Sequence, residues 1–350
     1  MKYLIGFLIL FVASCQYPVD QAKLPDTQKF LVIDAEITED FARVNVLYSL
    51  ERVTSNGSYT LPKVPAVTAL IVDGAGAGYP VKNTNGVRDT LFKGKIGGTY
   101  QLIVELDGKR YESAKETMRP CPELESLTAQ YNRESFRVEA DINYDGFDVY
   151  AEAKDIPGVA NFYQWHWINY AKAPACTKRF SIAEGREVYI PCFPTDCWNI
   201  IQNQKIIVQS DNLRDGNPLR QLVVRVPFAT PPNRYYLRVE QRSITPSVFN
   251  YLKSLETQTE NVGTLFDIPA QTRFNPNVTN VNDISEKILG VFSVYSYKRK
   301  IIYIDMTQTI PNAQAKVYID PVPLTSDPLV SAPCTEETYR TKIKPEGWVN

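Results

Sequence analysis

The sequence predicts a mainly β protein, with an N-terminal sandwich of immunoglobulin or transthyretin type followed by a larger β-sandwich-like domain that holds one inserted helix. Three observations point there. Tyr numbers 21 and Met only 3, with aromatics at 11%, a balance that suits pleated, half-buried surfaces better than helix bundles. Apolar and polar residues alternate with period two in many short segments. Gly, Pro and Asp-Gly turns separate those segments at short spacing. At 350 residues the chain is long enough for about two domains, each with its own core. Its 38 basic and 39 acidic residues leave no summed field that would draw nucleic acid or an acidic membrane surface.

The first residues are Met1-Lys2-Tyr3, an apolar run over 4–13, then Ser14-Cys15. That is a charged start, an apolar stretch too short for a bilayer, which takes about 20 residues, and a small residue before a cut. Val12-Ala13-Ser14-Cys15 resembles the lipobox of bacterial lipoproteins, which implies a signal peptide over 1–14 and lipid on the sulfur and freed amine of Cys15. An ordinary secretory signal that happens to end in cysteine is the plainer alternative. Residues 15–26 are polar with Pro18 and Pro25, which suits a tether.

The first sandwich is expected over 27–120. Stretches 29–37, 42–48, 67–73 and 99–106 alternate as half-buried strands do, and Asp107-Gly108 marks a hairpin returning over 109–113. The second domain is expected over 125–310, with strands at 136–142, 147–153, 161–168, 205–208, 221–226, 235–240, 289–296 and 300–305. Thr245 and Pro246 open a helix near 246–261, where Val248, Tyr251, Leu252 and Leu255 share one face. The tail over 311–350 is Pro-rich and reads as irregular.

Export makes disulfides the expected use of cysteine. The mature chain keeps Cys121, Cys176, Cys192, Cys197 and Cys334 besides Cys15, an odd number that leaves one thiol over. One bridge is expected within the 176/192/197 cluster and a second between Cys121 and Cys334. A zinc site is disfavoured by a single His, His166, and by the lack of a CxxC pair.

From Cys197-Trp198 onward the sequence reads Ser210-Asp211-Asn212-Leu213, Tyr236-Leu237-Arg238-Val239, Ser243-Ile244-Thr245, Thr264-Leu265-Phe266-Asp267, Asn280-Val281 and Leu289-Gly290-Val291-Phe292-Ser293-Val294-Tyr295-Ser296. In that order these residues resemble the Bacteroidota lipoproteins grouped as domain of unknown function 4249. Cys334-Thr335 and Lys344-Pro345-Glu346-Gly347-Trp348 resemble that family's ending. The resemblance implies an outer-membrane lipoprotein, often encoded beside a TonB-dependent transporter, with no catalytic residues to carry over. The residues after Cys15, with only Asp20 nearby, match poorly the acidic surface-export signal of some such lipoproteins, so the membrane face stays open.

Several local patterns have a sharp and a plain reading. Asp73-Gly74-Ala75-Gly76-Ala77-Gly78-Tyr79 has the glycines of a phosphate loop without its Lys-Ser/Thr or following helix, and reads as a strand connection. His166 and Asp155 invite a hydrolase triad, yet no nucleophile elbow is present. Tyr163, Trp165 and Trp167 fall on one face of a strand, either as ligand-binding aromatics or as core, with core favoured. Asp141, Asp145 and Asp148 around Gly146 read as solvated hairpin-turn residues rather than a carboxylate pair or calcium site. Tyr297-Lys298-Arg299-Lys300 reads as a solvated basic turn. The expected function is therefore non-catalytic, without a cofactor: a binding or accessory subunit of a TonB-dependent transporter, or alternatively an envelope scaffold or adhesin.

Overall fold

The computed structural model describes residues 29–49, 64, 66–139, 142–172, 178–183, 185–189, 196–212, 215–228, 234–260, 274–307, 334, 336 and 339–349. Cys15 with its signal and tether, Cys176, Cys192, Asp141 and most of the tail lie outside the described residues. In chain order the strands begin β1 (Leu31–Ile37), β2 (Ala42–Tyr48), β3 (Val67–Asp73), β4 (Gly78–Pro80), β5 (Asn85–Asp89), β6 (Thr99–Leu106), β7 (Lys109–Ser113) and β8 (Glu116–Thr117). Next come β9 (Leu124–Glu139), β10 (Ile142–Lys154), β11 (Phe162–Lys172), β12 (Lys178–Ser181), β13 (Arg186–Tyr189), β14 (Trp198–Gln202), β15 (Val208–Ser210), β16 (Pro218–Pro227) and β17 (Arg234–Ser243). Helix α1 (Pro246–Glu260) precedes β18 (Val278–Asn280), β19 (Ile288–Leu289), β20 (Phe292–Val294), β21 (Ser296–Asp305) and β22 (Arg340–Thr341).

The alternation read in the sequence is realised in the first sandwich. Leu31, Ile33, Ala35 and Ile37 of β1 are buried against Tyr100, Leu102, Val104 and Leu106 of β6 in one core, because successive side chains of a strand point to opposite faces. Asp107 (φ 50°) and Gly108 (φ 72°) make the left-handed pair that a two-residue hairpin needs between β6 and β7.

The sandwich is not closed by its own segment, however. Its sheets run β19-β1-β2-β5, with β20 also on β1, and β18-β7-β6-β3-β4, with β8 on β6. Residues assigned by sequence to the second domain therefore return to complete the first. The stretch 289–296, expected as one strand of the second domain, is instead split: β19 and β20 pair parallel to β1, and Phe292 and Val294 are buried in the first core. Each such side chain contributes about 1.5–3 kcal/mol on burial, more than enough to override a boundary guessed from sequence order. Gly290, with φ of 91°, lies between the two short strands where a Cβ would fall 2.2 Å from the Ile33 carbonyl oxygen. Only glycine allows that approach.

The second sandwich faces the sheet β16-β10-β9 against β21-β17-β11-β14-β22, with β15 added to β11. Phe147, Val149 and Val223 from one side meet Trp165, Val239 and Ile304 from the other. The hairpin of β9 and β10 is longer than expected, and Gly146 lies inside β10 rather than at a turn. There a Cβ would sit 2.5 Å from the Val226 carbonyl oxygen, the close backbone approach that marks glycine in a strand. Asp145 and Asp148 are consequently buried, not solvated turn residues. Asp145 accepts from the Tyr131 hydroxyl at 2.5 Å, and Asp148 from Ser135 at 2.6 Å and Asn132 at 2.9 Å.

Helix α1 forms where the sequence places it, and Val248, Tyr251, Leu252 and Leu255 pack with Ile244, Val291 and Tyr295. The expected Cys121–Cys334 bridge is corrected, while Cys176 and Cys192 of the expected cluster lie outside the described residues. Cys197 bonds Cys334, with Cα atoms 5.9 Å apart, because β14 and β22, which follow these two residues, are edge-paired at Trp198–Thr341. Cys121 is the unbridged thiol among the described residues, buried and donating to the Gln241 carbonyl at 3.3 Å. Burial pushes its pKa up to about 12.

Where the sandwiches meet, charge is organised rather than excluded. Arg43 of β2 binds Glu36 at 2.6 Å and Asp34 at 3.2 Å, and the Tyr295 hydroxyl donates to Glu36 at 2.7 Å. From the other side Arg242 binds Glu240 at 2.6 Å and stands 4.7 Å from the centre of the Tyr295 ring. Arg299, read in sequence as part of a solvated turn, lies within β21 and reaches Glu240 at 3.2 Å. Burial opposes the charge on Glu36, but Arg43, Arg242 and the Tyr295 hydrogen bond outweigh it and hold its carboxyl below the usual value. His166 of β11 pairs with Glu240 across the sheet. Burial, followed by Arg242, lowers its pKa to about 4.

Two outcomes follow. Gly290→Ala is expected to destabilise the chain by at least about 2 kcal/mol, read as a lower urea midpoint, since it forces both left-handed strain and a backbone clash. His166 stays neutral in the fold down to about pH 4, whereas the unfolded imidazole takes up its proton near pH 6.5. Stability should thus fall by about 2 kcal/mol from pH 7 to pH 5, and denaturation of His166→Gln should show that slope flattened.

Candidate binding groove

The open side of the first sandwich is built from the Gly-rich connection and from the loop that precedes β6. Asp73 ends β3 and turns the chain. Its Oδ1 accepts from the Ala75 amide at 3.0 Å and the Ala77 amide at 2.9 Å, while the Tyr79 hydroxyl reaches Oδ2 at 3.5 Å. This is the local side-chain to backbone bonding that lets Asp organise turns. The segment read as a plain connection therefore continues into β4, which pairs with β3.

The loop over 91–98 is fastened at several points. Gly94 donates to the Thr38 carbonyl at 2.8 Å, Gly97 to Met118 at 2.8 Å, and Met118 to Gly98 at 2.9 Å. The Lys95 amide donates to the Tyr100 hydroxyl at 2.8 Å. These bonds hold Phe92 between Tyr79, at 5.0 Å between ring centres, and Tyr100, at 5.8 Å, both edge-to-face, the packing that ring quadrupoles favour.

Around the three rings lies an open hollow of about 430 Å³ whose wall also includes Lys82, Lys93, Lys95, Asp73, Asp89 and Leu91. A neighbouring hollow of about 270 Å³ shares Asp73 and Tyr100 and adds Lys115. Leu91 is 75% exposed and Tyr79 43%. The two carboxylates are engaged locally, Asp73 as described and Asp89 by the Leu91 amide at 3.0 Å. The Lys82, Lys93 and Lys95 side chains are exposed and form no ion pair among the described residues.

The aromatics singled out by sequence lie elsewhere. Tyr163 and Trp165 are at most 1% exposed, and Trp167 packs partly buried against the same core. Trp165 donates to Gln241 at 3.1 Å and Tyr163 to Asp155 at 2.5 Å. Tyr163 and Trp165 are core residues whose polar atoms are already satisfied, which agrees with the favoured core reading and sets aside the ligand-binding one. Asp155 is occupied by Tyr163, Asn161 and the Gly216 amide, while His166 sits opposite Glu240, so the imagined triad is not assembled from these two.

Asp155, Asp211 and Asp215 have oxygens within 4.8 Å of one another and are the described carboxylates closest to a cation-holding arrangement. Each oxygen that orients them bonds nearby chain: Asp211 the Asn161 amide at 2.8 Å, and Asp215 the Gly158 amide at 2.7 Å. Among the described residues no helix is long and apolar enough to cross a membrane.

The groove residues Tyr79, Phe92 and Tyr100 escaped the sequence reading. A faint signal was present in Leu91-Phe92-Lys93-Gly94-Lys95-Ile96, where apolar and basic residues alternate without acidic neighbours.

A family model described as Domain of unknown function (DUF4249) matches residues 17–301, a span that covers the first sandwich and the second up to the middle of β21. No curated protein matches the chain.

Asp73→Ala should free the Ala75 and Ala77 amides, visible as faster hydrogen exchange at those positions. Global stability should change by less than about 1 kcal/mol, since the turn is exposed.

Proposed function

The chain belongs to that domain-of-unknown-function family, and on that premise we propose that it is an outer-membrane-anchored lipoprotein acting as a non-catalytic binding or accessory subunit of a TonB-dependent transporter. One observation carries the reading: a hollow open to solvent at Tyr79, backed by Phe92 and Tyr100 and edged by lysines that form no ion pair among the described residues, set in a well-fastened loop. A concave site with rings and a few polar groups is where ligands are held. The lipobox-like Val12-Ala13-Ser14-Cys15 supports the anchor, since several acyl chains at about 0.8 kcal/mol per buried methylene hold a protein stably. The family resemblance supports the transporter. Tethering raises the local concentration of a captured ligand without demanding tight affinity.

A second reading, an envelope scaffold, draws on the charged junction around Arg242 and Glu36, which joins the sandwiches into one strut. Purification from gently solubilised membranes separates the two. Recovery of a transporter barrel with the lipoprotein is expected, and recovery of the lipoprotein alone favours the scaffold. Cys15→Ala should leave the folded domains intact while moving the protein out of the membrane fraction, and a variant that stays with the membrane would sink the anchor.

A further inference from the structure

We propose that the groove of the first sandwich takes a negatively charged oligosaccharide, one bearing uronate or sulfate groups, with a sugar face against Tyr79 and acidic groups against Lys82, Lys93 and Lys95. The inference rests on the ligand-capture reading and names its ligand class. Charge complementarity comes first. The lysines that line the hollow form no ion pair among the described residues, while Asp73 and Asp89 are bonded to the amides of their own turns. Three lysines against two carboxylates leave the lining with a net charge of +1, and the exposed ammonium groups are free to meet a ligand, although the chain as a whole is close to neutral. Lys115 extends this basic lining along the adjoining hollow.

The rings set the second requirement. Tyr79, 43% exposed, offers an apolar ring surface suited to the CH-rich face of a pyranose, and Phe92, meeting it at 66°, backs it from the core side.

The sheet edge argues against an extended peptide. Asp73 N bonds Ala77 O and Val81 N bonds Ala69 O, so alternate residues of β4 face β3 and leave Gly78 and Pro80 facing outward. Pro80 has no amide to donate, which blunts the edge for strand addition. Recognition is left to side chains.

The test uses the purified mature chain in neutral detergent. Binding is measured by calorimetry to oligogalacturonate, hyaluronan, chondroitin sulfate and heparin oligosaccharides, with methyl-esterified oligogalacturonate and poly-L-glutamate as comparators. At least one acidic glycan should bind, more weakly as salt rises from about 50 to about 500 mM. Esterification should lower affinity about tenfold, as should the combined Lys82→Gln, Lys93→Gln, Lys95→Gln change, with the thermal midpoint unmoved. Tyr79→Ala should weaken binding independently of salt. Silence towards every acidic glycan, equal binding of the ester or of polyglutamate, or an indifferent lysine variant would overturn the assignment. A chain that ignores these glycans but still co-purifies with a barrel fails this inference alone, whereas loss of both fails the reading beneath it.

Discussion

Closure of the first sandwich by residues 278–294 is the constraint on which the molecule depends. The hydrophobic core around Ile33 and Leu102 lacks Val278, Ile288, Phe292 and Val294 until the chain has passed through the whole second sandwich and α1. Asn277 locks the return: it accepts from the Phe292 amide at 2.9 Å and donates to the Phe292 carbonyl at 2.7 Å and to Glu116 at 2.8 Å. Glu116 in turn accepts from Ser247 near the start of α1 at 2.5 Å. One buried carboxylate therefore couples the helix to the completed sheet. Pairings this distant in sequence must overcome loop-closure entropy before they stabilise anything, which favours slow, cooperative folding of both sandwiches together.

The elements most legible in the sequence were those governed by local chemistry. Strands β2, β3, β6 and β7 and the Asp107-Gly108 hairpin follow from alternation and turn residues, and α1 follows from its Thr245-Pro246 start and apolar face. What escaped was decided at long range. Nothing in 288–294 announces that its partner is β1, because parallel pairing across more than two hundred residues leaves no periodic mark. Likewise Cys197 and Cys334 meet only because two short edge strands pair beside them, a contact that cysteine spacing does not encode.

The candidate site repeats that lesson with aromatics. A row of Tyr163, Trp165 and Trp167 was conspicuous in sequence, but Gln241, fully buried, satisfies the Trp165 indole and also donates to the Pro122 carbonyl at 3.3 Å. That amide binds the linker between sandwiches to the second core, so the row is structural. Tyr79, unremarkable in sequence, is the exposed ring, while Phe92 packs partly buried between it and the first core, in a loop whose backbone bonds to Thr38 and Met118 fix its place. Overall charge concealed the lysines in the same way, since a balanced sum hides a local excess.

The direction of β1 has a mechanical consequence. Chain upstream of Lys29 enters at Leu31, while the second sandwich attaches beyond Ile37, where Tyr295 N bonds the Ile37 carbonyl at 3.0 Å. These points are about 20 Å apart along one strand, and β1 is flanked by β2 on one side and by β19 and β20 on the other. A pull on the amino terminus resisted at the far sandwich would load both ladders in shear, sharing the force over many hydrogen bonds at once instead of unzipping them singly.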